Sequence, residues 1–405
     1  MKINFLHITF FVAIIIFGFS FSNKKFSDPN KEKLLIEVVK YVVEKGHYNS
    51  IEIDDGISEK IFNSYIDQLD NQKRFFLQSD IRQFEKYKFK LDDQLKDHDL
   101  TFFDLVFQVS RERIDEVKDY YYEIMEKGFD FSSDENIDLD FENKSFARSK
   151  NEIKNRWRKQ LKYSTLDILT LKLGDSIKII DNKTLDESMS LIKKNTEDFF
   201  DYVSEMDRDD WFANYINAFL NQLDPHTVYF NPDDKDRFDT NISGKFNGIG
   251  ARLQKTEGAV KIVDIIVGGP IWKDKLLDIG DIILKVAQEN EEPVDIIGMK
   301  LDDAIKLIKG PADSVVRLTI KKIDGEIKDV SIKRGLVELE ELYAKSTLIS
   351  KNNKNYGYIS LPKFYVDFSD KNSRNSANDV KNEIIKLKNN GIKGLILDLR
   401  NNGGG

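Results

Sequence analysis

Two glycine-containing stretches carry most of the chemistry that can be read from this chain. The first runs Ser243-Gly244-Lys245-Phe246-Asn247-Gly248-Ile249-Gly250-Ala251-Arg252-Leu253, a glycine-rich loop entering a strand. Gly248-Ile249-Gly250 lacks the third glycine of a dinucleotide fingerprint, and no Gly-Lys-Ser/Thr follows, so a nucleotide phosphate is the wrong occupant. Consecutive backbone N–H groups can instead form a nest for an anion, which glycine lets approach closely. Next to a strand edge that an extended peptide can join, such a nest takes a terminal carboxylate, and the segment reads as a receptor for peptide tails. The second stretch is Gly394 to Gly405, GLILDLRNNGGG. The apolar run Leu395 to Leu399 reads as a buried strand, and the glycine turn after it as a loop that builds a site.

Nucleophiles and bases are harder to place. A serine hydroxyl attacks only when a neighbouring base takes its proton, and lysine serves as that base only when desolvation lowers its pKa. Ser149-Lys150 and Ser243-Gly244-Lys245 are adjacent in sequence, but neither lies in a Gly-x-Ser-x-Gly elbow, and with so many lysines such adjacency arises by chance. His226, in Leu223-Asp224-Pro225-His226-Thr227, is one of four histidines and a candidate general base; the plainer reading is that it fixes the turn by hydrogen bonding. The chain has no cysteine, which excludes disulfides and thiolate metal sites. Charges of both signs are interspersed and sum to −8, which argues against nucleic acid as the partner.

The elements that must position these groups fall into blocks. Lys2, the apolar stretch Phe10 to Phe19 and Ser20-Phe21-Ser22 describe a secretory signal over residues 1–22, so export is expected, with membrane association only if the segment stays uncleaved. Residues 23–235 read as a helical domain with apolar residues at helical spacing, as in Leu34, Leu35, Val38, Val39, Val42 and Val43, or Phe102, Phe103, Leu105, Val106, Val109 and Ile114. Ser132 to Asn143 reads as an acidic loop, and the helix Trp211 to Leu220 ends before Pro225. Residues 236–335 read as short strands at Ala259–Val267, Ile282–Ala287, Val315–Ile323 and Ile327–Lys333 with one helix, Leu301–Ile308, and a hairpin turn at Asp324-Gly325. Residues 336–405 open a third domain, with a helix at Ala377–Lys388. The fold class is multidomain α+β.

These residues carry a family resemblance. FNGIGARL, VGGPIWKDKLLDIGDIILKV, MKLDDAIKLIKGP and VRLTI resemble the PDZ domain of the tail-specific, or carboxyl-terminal processing, proteases of peptidase family S41. YIDQLDNQKRFFLQSDI (Tyr65 to Ile81) and NAFLNQLDPHTVYFNP (Asn217 to Pro232) resemble the amino-terminal helical part of its long, Prc-like branch; YGYISLPKFY and GLILDLRNNGGG resemble the opening strands of its crotonase/Clp-like α/β protease domain. The resemblance implies a periplasmic or otherwise exported serine endopeptidase, with no metal and no organic cofactor, that recognises apolar C-terminal tails through its PDZ domain and cuts with a Ser-Lys pair, for which it points beyond Gly405. Some relatives use a lipoprotein adaptor. Phe246, Asn247, Gly248, Ile249, Gly250 and Ala251 would hold the tail carboxylate, with Leu253, Ala304, Ile305 and Ile308 lining the pocket for the terminal side chain; core packing is the alternative for the three helix residues. Arg252 would orient the loop or contact the carboxylate. Gly403, Gly404 and Gly405 would lend amides to an oxyanion hole or simply make a tight turn. The competing readings are a tail-binding adaptor that does not cut and a regulator of an intact protease.

Overall fold

The computed structural model describes residues 29–48, 52–174, 181–256 and 258–404. The proposed signal and Gly405 lie outside them. The chain divides at Tyr229/Phe230 into two compact units.

The first unit is helical: α1 (Pro29–Gly46), α2 (Asp55–Asp70), α3 (Gln78–Phe84), α4 (Leu91–Asp97), α5 (Thr101–Lys127), α6 (Lys150–Leu173), α7 (Asn182–Glu205) and α8 (Arg208–Leu220). Its main core is aromatic, with Tyr65, Phe102, Phe103, Phe212 and Tyr215 fully buried; a second cluster gathers Tyr121, Trp157 and Phe200. The α1 face read from sequence is corrected in part. Ile36 and Val43 are buried and Leu35 and Val39 pack against the core, whereas Leu34, Val38 and Val42 are exposed. The helix has apolar residues on two stripes, and only one can meet the core.

Asp224, not the His226 imidazole, organises the turn that follows α8. Its carboxylate accepts the His226 and Thr227 amides at 2.7 and 3.0 Å and lies 2.7 Å from His47 Nε2. These bonds, the Thr227 hydroxyl foremost, hold the Asp224 carboxyl far below the usual range. The His226 side chain is exposed, so the general-base reading has no geometric support.

The acidic loop between α5 and α6 is fastened by charge. Arg158 grips Glu135 through two bonds of 2.7 and 3.1 Å, and Ser133 donates to the same carboxylate at 2.9 Å. The arginine first, then the serine, lowers Glu135 from 4.5 to about 2. A depressed carboxyl stabilises the fold above its unfolded pKa, and the contribution disappears as pH falls from about 4.5 through 2. Pepsin is therefore expected to nick the loop near exposed Leu139 before other sites on acidification, and Glu135→Gln should move that onset to higher pH. Unchanged onset in the variant would show that other contacts hold the loop.

The second unit begins with α9 (Pro232–Ser243) and then builds a β-rich module: β1 (Lys245–Gly248), β2 (Ala251–Thr256), β3 (Ala259–Ile265), α10 (Pro270–Asp274), β4 (Ile282–Gln288), β5 (Val294–Asp295), α11 (Leu301–Ile308), β6 (Val315–Lys321), β7 (Ile327–Lys333) and β8 (Gly335–Glu338). Its sheet runs β2-β3-β4-β6-β7, with β5 on β4, while β1 pairs only with β8. Val260, Ile262, Ile283, Val316, Leu318, Ile320 and Ile332 alternate inward to form the core, as half-buried antiparallel strands require. A parallel and antiparallel sheet of β9 (Lys345–Lys351), β10 (Lys354–Ser360) and β11 (Leu395–Asp398) follows, backed by α12 (Ser376–Asn389). Gly357 lets Leu387 of α12 approach, since a Cβ there would sit 2.8 Å from its Cδ1. The strand forms over Leu395–Asp398 but is not buried: Leu395, Ile396, Leu397 and Leu399 are all exposed, and among the described residues β11 has β10 on one side only. Among the described residues no helix is long and apolar enough to cross a membrane.

Candidate functional site: an open strand edge with an amide nest

Among the described residues β2 has β3 on one side and no strand on the other. Its residues alternate, with Ala251, Leu253 and Lys255 turned inward and Arg252, Gln254 and Thr256 outward. α11 packs alongside β2, so the inward row and the helix form the two walls of a groove with an unpaired strand edge. Leu253 and Ile305 are partly exposed on these walls. Ala304 and Ile308 are not: both are buried in the module core, which makes them the floor behind the groove and not its surface.

The nest lies where β1 gives way to β2. The carbonyls of Ile249 and Gly250 accept the amides of Ile271 and Ile266 at 3.0 and 2.9 Å, so both face the 266–271 turn. In a trans peptide the following N–H points the opposite way, which directs the Gly250 and Ala251 amides away from that turn. Among the described residues neither the Ile249 nor the Gly250 amide has a protein acceptor. The Ile249 side chain is buried and anchors the loop from below. Gly250 is obligatory: its φ is +85°, and a Cβ would meet the Gly269 Cα at 3.0 Å. Gly248 closes β1 opposite Gly335, and Asn247 is exposed.

Lys309 completes this end of the groove and was not singled out from the sequence. It is the residue directly after α11, its side chain lies against the Gly248 position, and its Nζ stands 5.1 Å from the Phe246 ring centroid. Burial pushes its ammonium down, and no acid pairs with it among the described residues. A lysine after the last turn of a helix reads as a partner of the helix dipole, which hides this role. Arg252 points the other way, into ion pairs with Glu341 and Asp264, and contributes nothing to the nest.

Two ties hold the helix wall. Lys306 reaches Asp233 at 2.7 Å and Arg237 reaches Asp302, so α9 braces the outer face of α11. Buried Arg334 fastens its end, donating to the Ile308 and Leu307 carbonyls at 2.8 and 3.0 Å, to Gln288 Oε1 at 2.7 Å and to Ser314 Oγ at 2.9 Å.

The second glycine loop is placed but not equipped. Asn402 donates from Nδ2 to the Leu361 carbonyl at 2.9 Å and accepts the Gly404 amide at 3.0 Å. The Gly404 N–H is thus engaged within the turn, while the Gly403 amide has no protein acceptor among the described residues. The serine-lysine adjacencies are structural. Ser149 caps α6, and Lys150 pairs with Glu116; Ser243 bonds the Asp239 carbonyl, and Lys245 pairs with Asp367 at 2.8 Å. Among the described residues no cluster of three or more His, Asp or Glu could hold a metal.

Comparison with known proteins matches the blocks in order. Residues 38–233 match the tail specific protease N-terminal domain, 240–321 the PDZ domain and 355–405 peptidase family S41. The tail-specific protease of Haemophilus influenzae is 32% identical over 363 residues, covering 89% of this chain and 50% of that protein. A probable CtpA-like serine protease of Staphylococcus haemolyticus is 32% identical over 191 residues, 47% of this chain and 34% of the relative. The chain thus spans half or less of the length of these relatives. The solved PDZ domain of a Vibrio cholerae carboxy-terminal protease, in complex with peptide, is 40% identical and covers 24% of this chain and 99% of its own, at a TM-score of 0.23. With matches to a tail specific protease N-terminal domain, a PDZ domain and the opening of peptidase family S41 in that order, the chain resembles the tail-specific proteases of that family.

Proposed function

We propose that this chain is part of an exported serine endopeptidase that selects proteins by apolar C-terminal tails and cuts them with a Ser-Lys pair that residues 1–405 do not supply. The observation that carries the reading is the groove itself: an unpaired strand edge, two apolar walls and, at one end, orphan amides beside an unpaired lysine. A tail would add to β2 as an extra strand, its terminal side chain against Leu253 and Ile305, its carboxylate on the Ile249–Ala251 amides with Lys309 alongside. The signal-like residues 1–22 support export, and a lipoprotein that delivers substrates belongs to the same proposal.

Fluorescence anisotropy with a labelled peptide ending in an apolar residue tests the first half. Charge-assisted hydrogen bonds contribute about 1.5–3 kcal/mol, so amidating the terminal carboxylate should weaken binding by about tenfold or more. Lys309→Gln should narrow the gap between acid and amide. Equal affinity for both peptides would remove the carboxylate from the recognition and the reading with it. For the second half, the full-length protein should carry a serine and, about one helical stretch later, a lysine beyond residue 405, and mutating that serine should abolish cleavage of tailed substrates; tail binding without cleavage would favour the adaptor.

A further inference from the structure

The helical unit holds a second place where positive charge is left without a partner. The segment Asn71 to Phe76, part of the motif YIDQLDNQKRFFLQSDI, makes a tight turn after α2 in which the Asp70 carboxylate accepts the amides of Arg74, Phe75 and Phe76 at 2.8, 3.0 and 2.9 Å. Lys73 takes a positive φ of 53°, and α6 pins the turn through Arg156 to the Lys73 carbonyl at 2.6 Å and Trp157 Nε1 to the Arg74 carbonyl at 2.9 Å. The backbone is therefore fixed from both sides, and the Arg74 side chain is delivered onto Trp157, its guanidinium carbon 4.4 Å from the ring centroid.

That guanidinium has no hydrogen-bond acceptor and no ion pair among the described residues. Asp70, the acid nearest in sequence, already serves three amides. Burial lowers the Arg74 pKa, and Lys144 is lowered too, by burial first and by the neighbouring charges of Arg156 and Lys159. All four cations line one cavity of about 290 Å³. Two acids share it. Glu152 is engaged with Arg156 at 2.6 Å and with the Arg148 amide, and Asp138 accepts the Asp140 amide. Two positive charges remain in excess. Gln72, also on the wall, has a buried Oε1 with no donor; turned over, its carboxamide would present N–H groups to the cavity.

We propose that this cavity binds a single oxyanion, a carboxylate or a phosphate group, with the Arg74 fork as its main receptor and Lys144, Arg156 and Lys159 around it. A planar guanidinium stacked on an aromatic face and held by its own backbone is preorganised for such a group, with little further ordering on binding. The volume admits one tetrahedral anion with a few waters. The site lies within the helical unit and stands independently of the tail groove.

The test is isothermal titration of the chain at low ionic strength with inorganic phosphate and, separately, with succinate, against sodium chloride at matched ionic strength. Emission of Trp157, obtained by difference from Trp157→Phe, reports occupancy beside the stacked guanidinium. Saturable binding at millimolar concentration or tighter is expected for at least one probe, at least tenfold weaker in Arg74→Gln and a few-fold weaker in Lys144→Gln. Phosphate alone, or succinate alone, assigns the source, and both together define a general oxyanion receptor. If Arg74→Gln does not fold, the Lys144→Gln/Lys159→Gln pair carries the comparison. No saturable heat with either probe, or the same affinity in the variants as in the parent, overturns the proposal.

Discussion

Replacing Gly250 with valine is expected to abolish measurable tail binding and to lower the stability of the PDZ module by about 3–5 kcal/mol. Two effects add. At a φ of +85° a β-branched residue is strained, and its Cβ would sit 3.0 Å from the Gly269 Cα and 3.4 Å from Pro270 Cδ. The obstacle is backbone, which cannot swing aside as a side chain can. The loop must move, and with it the amides of Ile249 and Ala251. Gly258 offers the comparison, since it has a φ of +77° with nothing within 4 Å of a Cβ, so Gly258→Ala should cost only about 1 kcal/mol and leave tail affinity unchanged. Anisotropy and hydrogen exchange on the two variants would separate conformational strain from crowding. Near-parental tail affinity in Gly250→Val would mean that the nest is elsewhere.

Arg334→Met is expected to destabilise the same module by about 2–4 kcal/mol and to loosen α11 in particular. The arginine is 3% exposed and its acceptors are neutral carbonyl and hydroxyl oxygens. Removing it relieves the burial of a charge, which lowers its pKa, but leaves the Ile308 carbonyl and Gln288 Oε1 without the arginine donor where water enters poorly, the Leu307 carbonyl keeping Gln288 Nε2 at 3.0 Å. The orphaned acceptors should outweigh the relief, because backbone carbonyls cannot leave the site. Hydrogen exchange should rise over 301–309 more than over β6 and β7, and tail affinity should fall with it. Uniform exchange across the module would make Arg334 a general core residue without a special hold on the groove.

How much of this was legible depends on the range of the pattern. The bounds of α11 and of the strand Ile327–Lys333 agree with the sequence reading, because an amphipathic turn pattern and the Asp324-Gly325 turn, with Gly325 at a φ of +94°, act over a few residues. The β1–β8 pairing was not legible, since Lys245 meets Glu338 across the whole module and nothing local marks either strand. α1 shows a different failure. Its apolar residues satisfy two helical stripes, and only the tertiary partner decides that Ile36 and Val43 go inside. Arg334 and Lys309 escaped because a charged residue in a charged sequence reads as solvated surface. The nest was proposed from glycine spacing, yet which of its amides are left open depends on which way the Ile249 and Gly250 carbonyls turn, and that is set by the 266–271 turn.

The short β1–β8 ribbon has a further implication. Gly248 faces Gly335, so the chain enters and leaves the PDZ module at the same point. Residues 249–334 therefore form a cassette whose two ends are already side by side, and an Asn-Gly turn would be enough to close the ribbon in their absence. On the proposed tail-binding reading, exchange of that cassette for one with a different groove would alter which tails are read while the strands on either side kept their register, so that tail preference would be open to transplantation as a unit.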